Sequence, residues 1–457
     1  MLFWRELAKD AASWCRTSAT DEVSWSKDYE TLVRRFEHEG LSFLTITLPS
    51  YAEGFQKALD EGKVTPAHFP SFRTGRGGLP LFLGGFLSRV FDSNSGLLLD
   101  DPNVEAISAI RQLTLVFGKI NLPCSEDRID RAFERYIQNE NAVKTSDRVR
   151  SSELQLEFSR MASRLWGKIL SRLDSSIDFG NLVPRHGPGA TADRLSGNGK
   201  YRQQEWPERL ERVFPYLDNS LPSPSYFREL DRVAFLTPAQ ERPVRVITVP
   251  KTLKTPRIIA IEPTCMQYMQ QAVSEKLVYE IESDPLMGHF VGFTDQNPNK
   301  DLAREASQHG ETATLDLSDA SDLVSNQLVR ALVRGFTNVL DALDSTRSRK
   351  ADVPGAGVIR LSKFASMGSA VCFPVEALVF CTIVFIGVSR QQNRPLAKQD
   401  LQTLIGKVRV YGDDIIVPVD YVQSVVTALE DFGLRVNRSK SFWSGSFRES
   451  CGGDYYD

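Results

Sequence analysis

The sequence predicts an α+β fold in which helices alternate with antiparallel hairpins, and three stretches carry that reading. Thr312, Thr314, Asp316 and Ser318 alternate with Ala313, Leu315 and Leu317, the period of a strand with one buried face. Two β-rich runs, Lys407–Val410 and Ile415–Pro418, flank Tyr411-Gly412-Asp413-Asp414, where Gly and Asp tolerate the backbone angles of a tight hairpin. The apolar run from about Val371 to Val388 has the length of a long helix; Pro374 and Glu376 within it favour a buried helix over a membrane span.

In chain order, residues 1–175 are mainly helical in pattern. Ile107, Ile110, Leu113 and Val116 fall at helical spacing, and a charged helix is expected from Ser125 to Tyr136. Arg73 to Gly78 reads as a basic loop with no interleaved aromatic platform for stacking bases. From about Asn181 to Pro243 the chain is rich in Gly, Pro and Arg, a composition suited to gripping phosphate. Strands follow at Val244–Val249 and Arg257–Ile261, joined by a lysine-bearing turn. After the strand at 312–317, a helix is expected through Leu323, Leu328, Leu332 and Val333, with Ser318 or Ser321 as its cap. A basic connection near Arg347–Lys350, the long helix after Gly368, the hairpin, a helix from Tyr421 to Phe432 and short strands complete the chain.

Composition narrows the class. Hydrophobic residues make up 41% and charged residues 25%, ordinary for a globular protein, and 457 residues exceed a single core. The net charge of −3 excludes a uniformly basic protein that coats nucleic acid, so any such surface must be a local channel or patch. Six cysteines are scattered without a Cys-x-x-Cys pair, which fits a reducing cytoplasm, and Arg5, Lys9 and Asp10 interrupt any signal-like apolar run. No membrane association is expected.

The chemistry concentrates in the acidic segments. Adjacent carboxylates such as Asp413 and Asp414 repel, and the tip of a hairpin displaying both is costly unless cations sit beside them. Hard oxygen ligands on a rigid turn suit Mg²⁺. Asp316, between Leu315 and Leu317, needs a partner if its strand is buried, and a metal shared with the hairpin would supply one.

Taken together, Gly187-Pro188-Gly189-Ala190-Thr191, Val249 to Arg257, Ile259-Ala260-Ile261-Glu262-Pro263, Asp316 to Asp322, Ser366-Met367-Gly368, Tyr411 to Asp414 and Phe447 to Gly452 form an ordered series. In this series the chain resembles the RNA-directed RNA polymerases of small positive-strand RNA bacteriophages, the levivirus-type replicases, from about Leu182 onward. The resemblance implies a right-hand fold, with residues 1–175 a helical N-terminal region, 176–310 fingers and 311–457 palm. It also implies that the chain stops before a thumb. Chemically it implies nucleotidyl transfer with two Mg²⁺ ions, Mn²⁺ being able to substitute, held by Asp316, Asp413, Asp414 and the carbonyl of Leu317. Arg245, Lys251, Lys254 and Arg257 would meet the triphosphate, their charges adding because no acidic residue intervenes before Glu262.

Asp322 and Ser366 resemble the residues that read the sugar, and Gly368 would let backbone approach the templating base. Ser366 is equally placed to cap the next helix, and Ser369 stands where the family has Asn. Lys440 matches a lysine that protonates departing pyrophosphate, or is an exposed lysine after a helix. Arg448 and Glu449 either shape the strand turn near the primer end or touch RNA; His186 is assigned no role. The implied partners are single-stranded RNA template and nascent RNA, nucleoside triphosphates and host translation factors, in the cytoplasm of a bacterial host. The alternatives are a reverse transcriptase, which usually has a residue larger than Gly at the position of Gly412, or a catalytically silent polymerase-like RNA-binding protein.

Overall fold

A computed structural model describes residues 1–15 and 23–457 and has the mixed α/β character the pattern implies. Among the described residues, eleven short strands lie among the helices. β1 (Glu205–Pro207) and β2 (Ala234–Leu236) form a parallel pair. β3 (Val244–Val249) and β4 (Arg257–Ile261) form the antiparallel hairpin read from the sequence, with Val249 opposite Arg257. β5 (Thr312–Leu315) stands alone in sequence, whereas β6 (Lys350–Val353) and β7 (Gly357–Arg360) form a second hairpin. β8 (Arg409–Tyr411) and β9 (Asp414–Pro418) form the acidic hairpin, and β10 (Arg448–Ser450) and β11 (Gly453–Tyr455) a further one. The sheets that matter are β5-β9-β8, wholly antiparallel, and β4-β3-β6-β7, where β3 meets β6 in parallel.

The β5-β9-β8 sheet is sandwiched. The helix Cys372–Gln391 packs on one side, its Phe385 edge-on to Phe290 at 5.0 Å, and the helix Asn297–His309 packs against β5 and β9. The first of these is the one helix among the described residues long and apolar enough to cross a membrane, yet 89% of its apolar window is buried inside the protein. Its place in the core is pinned by Trp166, whose Nε1 donates to Thr382 Oγ1 at 2.8 Å. All four residues of β5 are buried, so the strand has no solvent face; the expected alternation marked polar side chains turned toward a second packed layer.

The helix expected after Asp316 is two. Ala320–Leu323 ends because Val324 is extended (ψ 110°) and its carbonyl accepts from Phe364 N–H at 2.8 Å. Ser325 then caps Asn326–Leu332, its Oγ accepting from Gln327 N–H at 3.0 Å. The capping residues are therefore Asp319, at φ 55°, and Ser325, in place of Ser318 or Ser321. The charged helix is longer than expected, Glu126–Val149.

The buried side chains gather mainly into two cores. One surrounds the β5-β9-β8 sheet and includes the helix Ser152–Asp178. The other holds Trp4, Phe43, Tyr51, Phe55, Phe86 and Leu113, and is joined from far along the chain by Phe442 and Phe447. The six cysteines are free thiols.

Candidate active site

The acidic hairpin closes through two residues, because Tyr411 pairs with Asp414. Gly412 has φ 59°, the positive value that the first central position of a tight hairpin turn demands, and a Cβ there would sit 2.4 Å from the Phe373 ring. The turn thus holds Asp413 at its tip, while Asp414 is already the first residue of β9. This corrects the expectation of two carboxylates side by side at the tip. Asp414 is instead half-buried, its Oδ1 accepting from Cys451 N–H at 3.1 Å and from Ser450 Oγ at 3.4 Å.

Asp316 follows the end of β5, and Leu317 bridges to Val436. The Asp316 carboxylate accepts from Asn437 Nδ2 at 2.7 Å, and its backbone N–H donates to Ser441 Oγ at 3.1 Å. Burial first, then the charge of Asp413, raises its pKa to about 6, with Asn437 and Lys440 opposing. Burial likewise raises Asp414, against the Cys451 N–H and with the charge of Asp413.

Asp316, Leu317 and Asp413 line a cavity of ≈ 520 Å³, together with Lys251, Arg257, Asp322, Met367, Asn437 and Lys440 among others. Its acidic residues suit a hard divalent cation in chemistry: burial, and then the charge of Asp413, raises the pKa of Asp316, and a cation beside these carboxylates would relieve both. Among the described residues, however, no three Asp, Glu, His or Cys side chains are gathered into a preformed ligand group. Asp316 and Asp414 each commit one carboxylate oxygen to the hydrogen bonds above, which leaves the other oxygen of each to meet an ion.

The basic residues divide. Lys251 and Arg257, at the mouth of the β3–β4 turn, face the cavity; the Lys251 ammonium is pulled below its usual range by burial and then by the charges of Arg257 and Lys440. Arg245 and Lys254 do not line it. Arg245 lies at the far end of β3, opposite Ile261, with its Nε buried and unpartnered, and Lys254 is exposed in the turn. Lys440 lies in the short helical turn Arg438–Lys440; burial works against its charge, but Glu449, Asp316, Glu53 and Asp454 outweigh it and raise its pKa.

Asp322 lines the cavity, and Ser366 stands behind it, donating from Oγ to Asp322 Oδ1 at 3.2 Å. Ser366 caps nothing in the structure: the helix it precedes starts at Cys372. Gly368 is turned from the cavity. At φ 126° it lies against β4, where a Cβ would meet the Ala260 carbonyl oxygen at 2.1 Å, so its need for glycine is met by backbone packing. Ser369 Oγ donates to Gln270 Oε1 at 3.1 Å, also away from the cavity. Arg448 is buried and ties carbonyls of Thr312, Gly445 and Phe447 together, the strand-shaping alternative. His186 stacks on Tyr268 with its Nε2 buried and unpartnered.

Several residues at the site escaped sequence reading. Tyr136 and Arg135 reach it from the helix Glu126–Val149, Arg135 donating to Asp319 Oδ2 at 2.8 Å. Glu376, on the buried helix, also lines the cavity, and burial followed by the charge of Asp413 pushes its pKa well up. Lys363 is fully buried beneath Asp322. Only Asn437 had a signal in the sequence, its place three residues before Lys440.

Residues 237–457 match the family described as RNA replicase, beta-chain. The RNA-directed RNA polymerase subunit beta of Enterobacteria phage SP is 32% identical over 294 residues, covering 63% of this chain and 47% of that protein. Its counterpart from Escherichia virus Qbeta is 36% identical over 213 residues, 46% of this chain and 33% of that protein. The beta chain of Escherichia phage MS2 is 35% identical over 211 residues, 46% of this chain and 35% of that protein. The chain thus spans about half, or less, of the length of these curated relatives. A solved RNA-dependent RNA polymerase of a human picorbirnavirus aligns with 44% of this chain and 40% of its own, at 12% identity and a TM-score of 0.32. The resemblance carried by the ordered motifs is borne out over the matched region.

Proposed function

We propose, on the premise that residues 237–457 match the RNA replicase beta-chain family, that this chain is catalytic machinery for RNA-directed RNA synthesis in a positive-strand RNA phage. One observation carries the reading: Asp316, just past the end of β5, and Asp413, at the tip of the β8–β9 turn, line one cavity together with Lys251 and Arg257. Carboxylates and cationic side chains around one cavity suit a triphosphate held between metal ions and side-chain counter-charge. In right-hand terms, residues 311–457 act as palm, 176–310 as fingers and 1–175 as a helical N-terminal region.

When bound at Asp316, Asp413 and Asp414, with the Leu317 carbonyl, two Mg²⁺ ions would supply activation of the attacking hydroxyl and charge neutralisation of the leaving group. The chain's own residues do the rest. Asn437 holds the Asp316 carboxylate in place, Lys251 and Arg257 orient the phosphates, and Asp322 meets the sugar. Lys440, kept protonated by its acidic neighbours, stands within the cavity with a proton to give to pyrophosphate. Template and nascent RNA, nucleoside triphosphates and host translation factors are the proposed partners, in the cytoplasm of the bacterial host.

The test is RNA-templated incorporation of labelled nucleotides, with and without host extract, by the wild-type chain and Asp413→Asn. Mg²⁺-dependent incorporation of ribonucleotides, lost in the variant, supports the reading. Incorporation of deoxynucleotides alone would mark a reverse transcriptase, and RNA binding without incorporation under either condition a silent binding protein.

A further inference from the structure

Lys363 is the most unusual charge outside the acidic floor. Its side chain is 0% exposed, and a buried ammonium is costly unless it is closely paired. Its Nζ donates to Asp322 Oδ1 at 3.0 Å and lies 3.4 Å from the centroid of the Tyr136 ring, so a carboxylate and an aromatic face divide the charge between them. The lysine is itself held rigidly. Glu140 accepts from the backbone N–H groups of Ser362 and Lys363 at 2.5 and 3.4 Å, and Arg347 Nη2 donates to the Lys363 carbonyl at 2.9 Å.

The Tyr136 hydroxyl closes the ring of contacts. It lies 3.1 Å from Ser366 Oγ, which donates onward to Asp322 Oδ1 at 3.2 Å. Two donors, Lys363 and Ser366, therefore converge on one oxygen of Asp322. The other oxygen keeps its acceptor capacity, and the residue lines the cavity.

We infer that Lys363 and Tyr136 are positioning residues that hold Asp322 as a fixed acceptor for the 2′-hydroxyl of the incoming nucleotide. The inference rests on the polymerase reading and deepens it. A carboxylate accepts only, and a ribose 2′-hydroxyl can donate to it where a deoxyribose has nothing to offer. A site built to bond a hydroxyl discriminates against the analogue that lacks it only if its own acceptor cannot turn away. Lys363 prevents this, its Nζ bonded to Asp322 Oδ1 at 3.0 Å from a fixed anchor. Tyr136 comes from the N-terminal helical region, which thereby contributes to sugar choice.

The experiment measures kcat/KM for a ribonucleoside triphosphate and its 2′-deoxy analogue in wild type, Lys363→Met and Tyr136→Phe. Lys363→Met should lower use of the ribonucleotide about tenfold and change use of the deoxynucleotide by less than about twofold, because only the former makes the bond to Asp322. Tyr136→Phe keeps the ring over the ammonium and removes only the hydroxyl; a loss of about threefold, again confined to the ribonucleotide, is expected and decides the matter if Lys363→Met does not fold. Equal losses on both sugars in the variants that fold would reduce Lys363 and Tyr136 to a structural role and overturn the inference. A wild-type chain that incorporates neither sugar sinks the polymerase reading itself, a result distinct from equal losses in the variants.

Discussion

Asn437 grips Asp316 twice: its side-chain Nδ2 donates to Asp316 Oδ2 at 2.7 Å, and its backbone N–H donates to the Asp316 carbonyl at 2.8 Å. The second bond survives substitution by alanine, which removes the first together with the bond Asn437 Oδ1 accepts from Ser439 Oγ at 2.8 Å. Asn437→Ala should leave folding intact and lower nucleotide incorporation about tenfold, the usual worth of a hydrogen bond to a charged group. Because Asn437 lowers the Asp316 pKa, the acid limb of the pH–rate profile should also move to higher pH. An unmoved limb would show that Asp316 does not set it.

The acidic floor predicts an inverted stability profile. Asp316 has its pKa raised to about 6 in the folded chain, so the folded state binds the proton more tightly than the unfolded one. Stability from this group is full below the ordinary carboxylate range and is lost as pH rises through about 6. At neutral pH without metal the ionised Asp316 costs on the order of 3 kcal/mol. Asp316→Asn should therefore raise the melting temperature in chelator at pH 7.5, and Mg²⁺ should stabilise wild type but not the variant. Thermal unfolding at pH 5 and 7.5, with and without Mg²⁺, reads both effects.

Replacing single carboxylates should separate their roles from stability. Asp316→Asn, Asp413→Asn and Asp414→Asn are each expected to reduce incorporation about 10²-fold or more, with no loss of secondary structure by circular dichroism. Near-normal turnover in any two of the three would sink the two-ion assignment.

On the basic wall, Lys251→Ala and Arg257→Ala should raise KM for nucleoside triphosphate about tenfold or more, as loss of a charge-assisted bond implies. Arg245→Ala and Lys254→Ala, which do not line the cavity, should leave KM within about twofold of wild type. Equal effects of all four would mean that the triphosphate contacts the whole β3–β4 hairpin.

Gly368→Ala should destabilise the chain by about 3 kcal/mol or more, since φ 126° is unfavourable for any side chain and the new Cβ meets the Ala260 oxygen at 2.1 Å. Denaturant unfolding of the purified variant measures it.

What the sequence displayed and what it hid follow from the range of the interactions. The Tyr411–Asp414 hairpin, the β3–β4 hairpin and the long helix after Gly368 are encoded locally, by turn chemistry and apolar runs, and they stand where the pattern puts them. The position of Asp414 on the strand rather than at the tip depends on a one-residue register that composition does not determine. The break at Val324 needs the distant Phe364 N–H, and so does not show in helical spacing. Lys363 and Tyr136 are 227 positions apart in number but share one ring of contacts; neither has a neighbourhood in sequence that suggests it.

The joining of Phe442 and Phe447 to the N-terminal core sets an order of events during synthesis. Asp60 Oδ1 accepts the backbone N–H groups of Trp443, Ser444 and Gly445 at 2.9, 2.8 and 3.2 Å, so the far segment is knitted to the helix Leu48–Glu61 through backbone as well as rings. A ribosome must release more than 380 further residues after Asp60 before those bonds can form. Until then the first core lacks two of its aromatic members, and the Asp60 carboxylate has Lys57 at 2.9 Å but lacks those three N–H donors. The same segment carries Asn437, Lys440 and Ser441 into place beside Asp316, so completion of the oldest part of the chain and assembly of the chemistry are one late step. The acidic site of a nascent chain therefore stays unfinished until the segment from Asn437 to Phe447 has emerged.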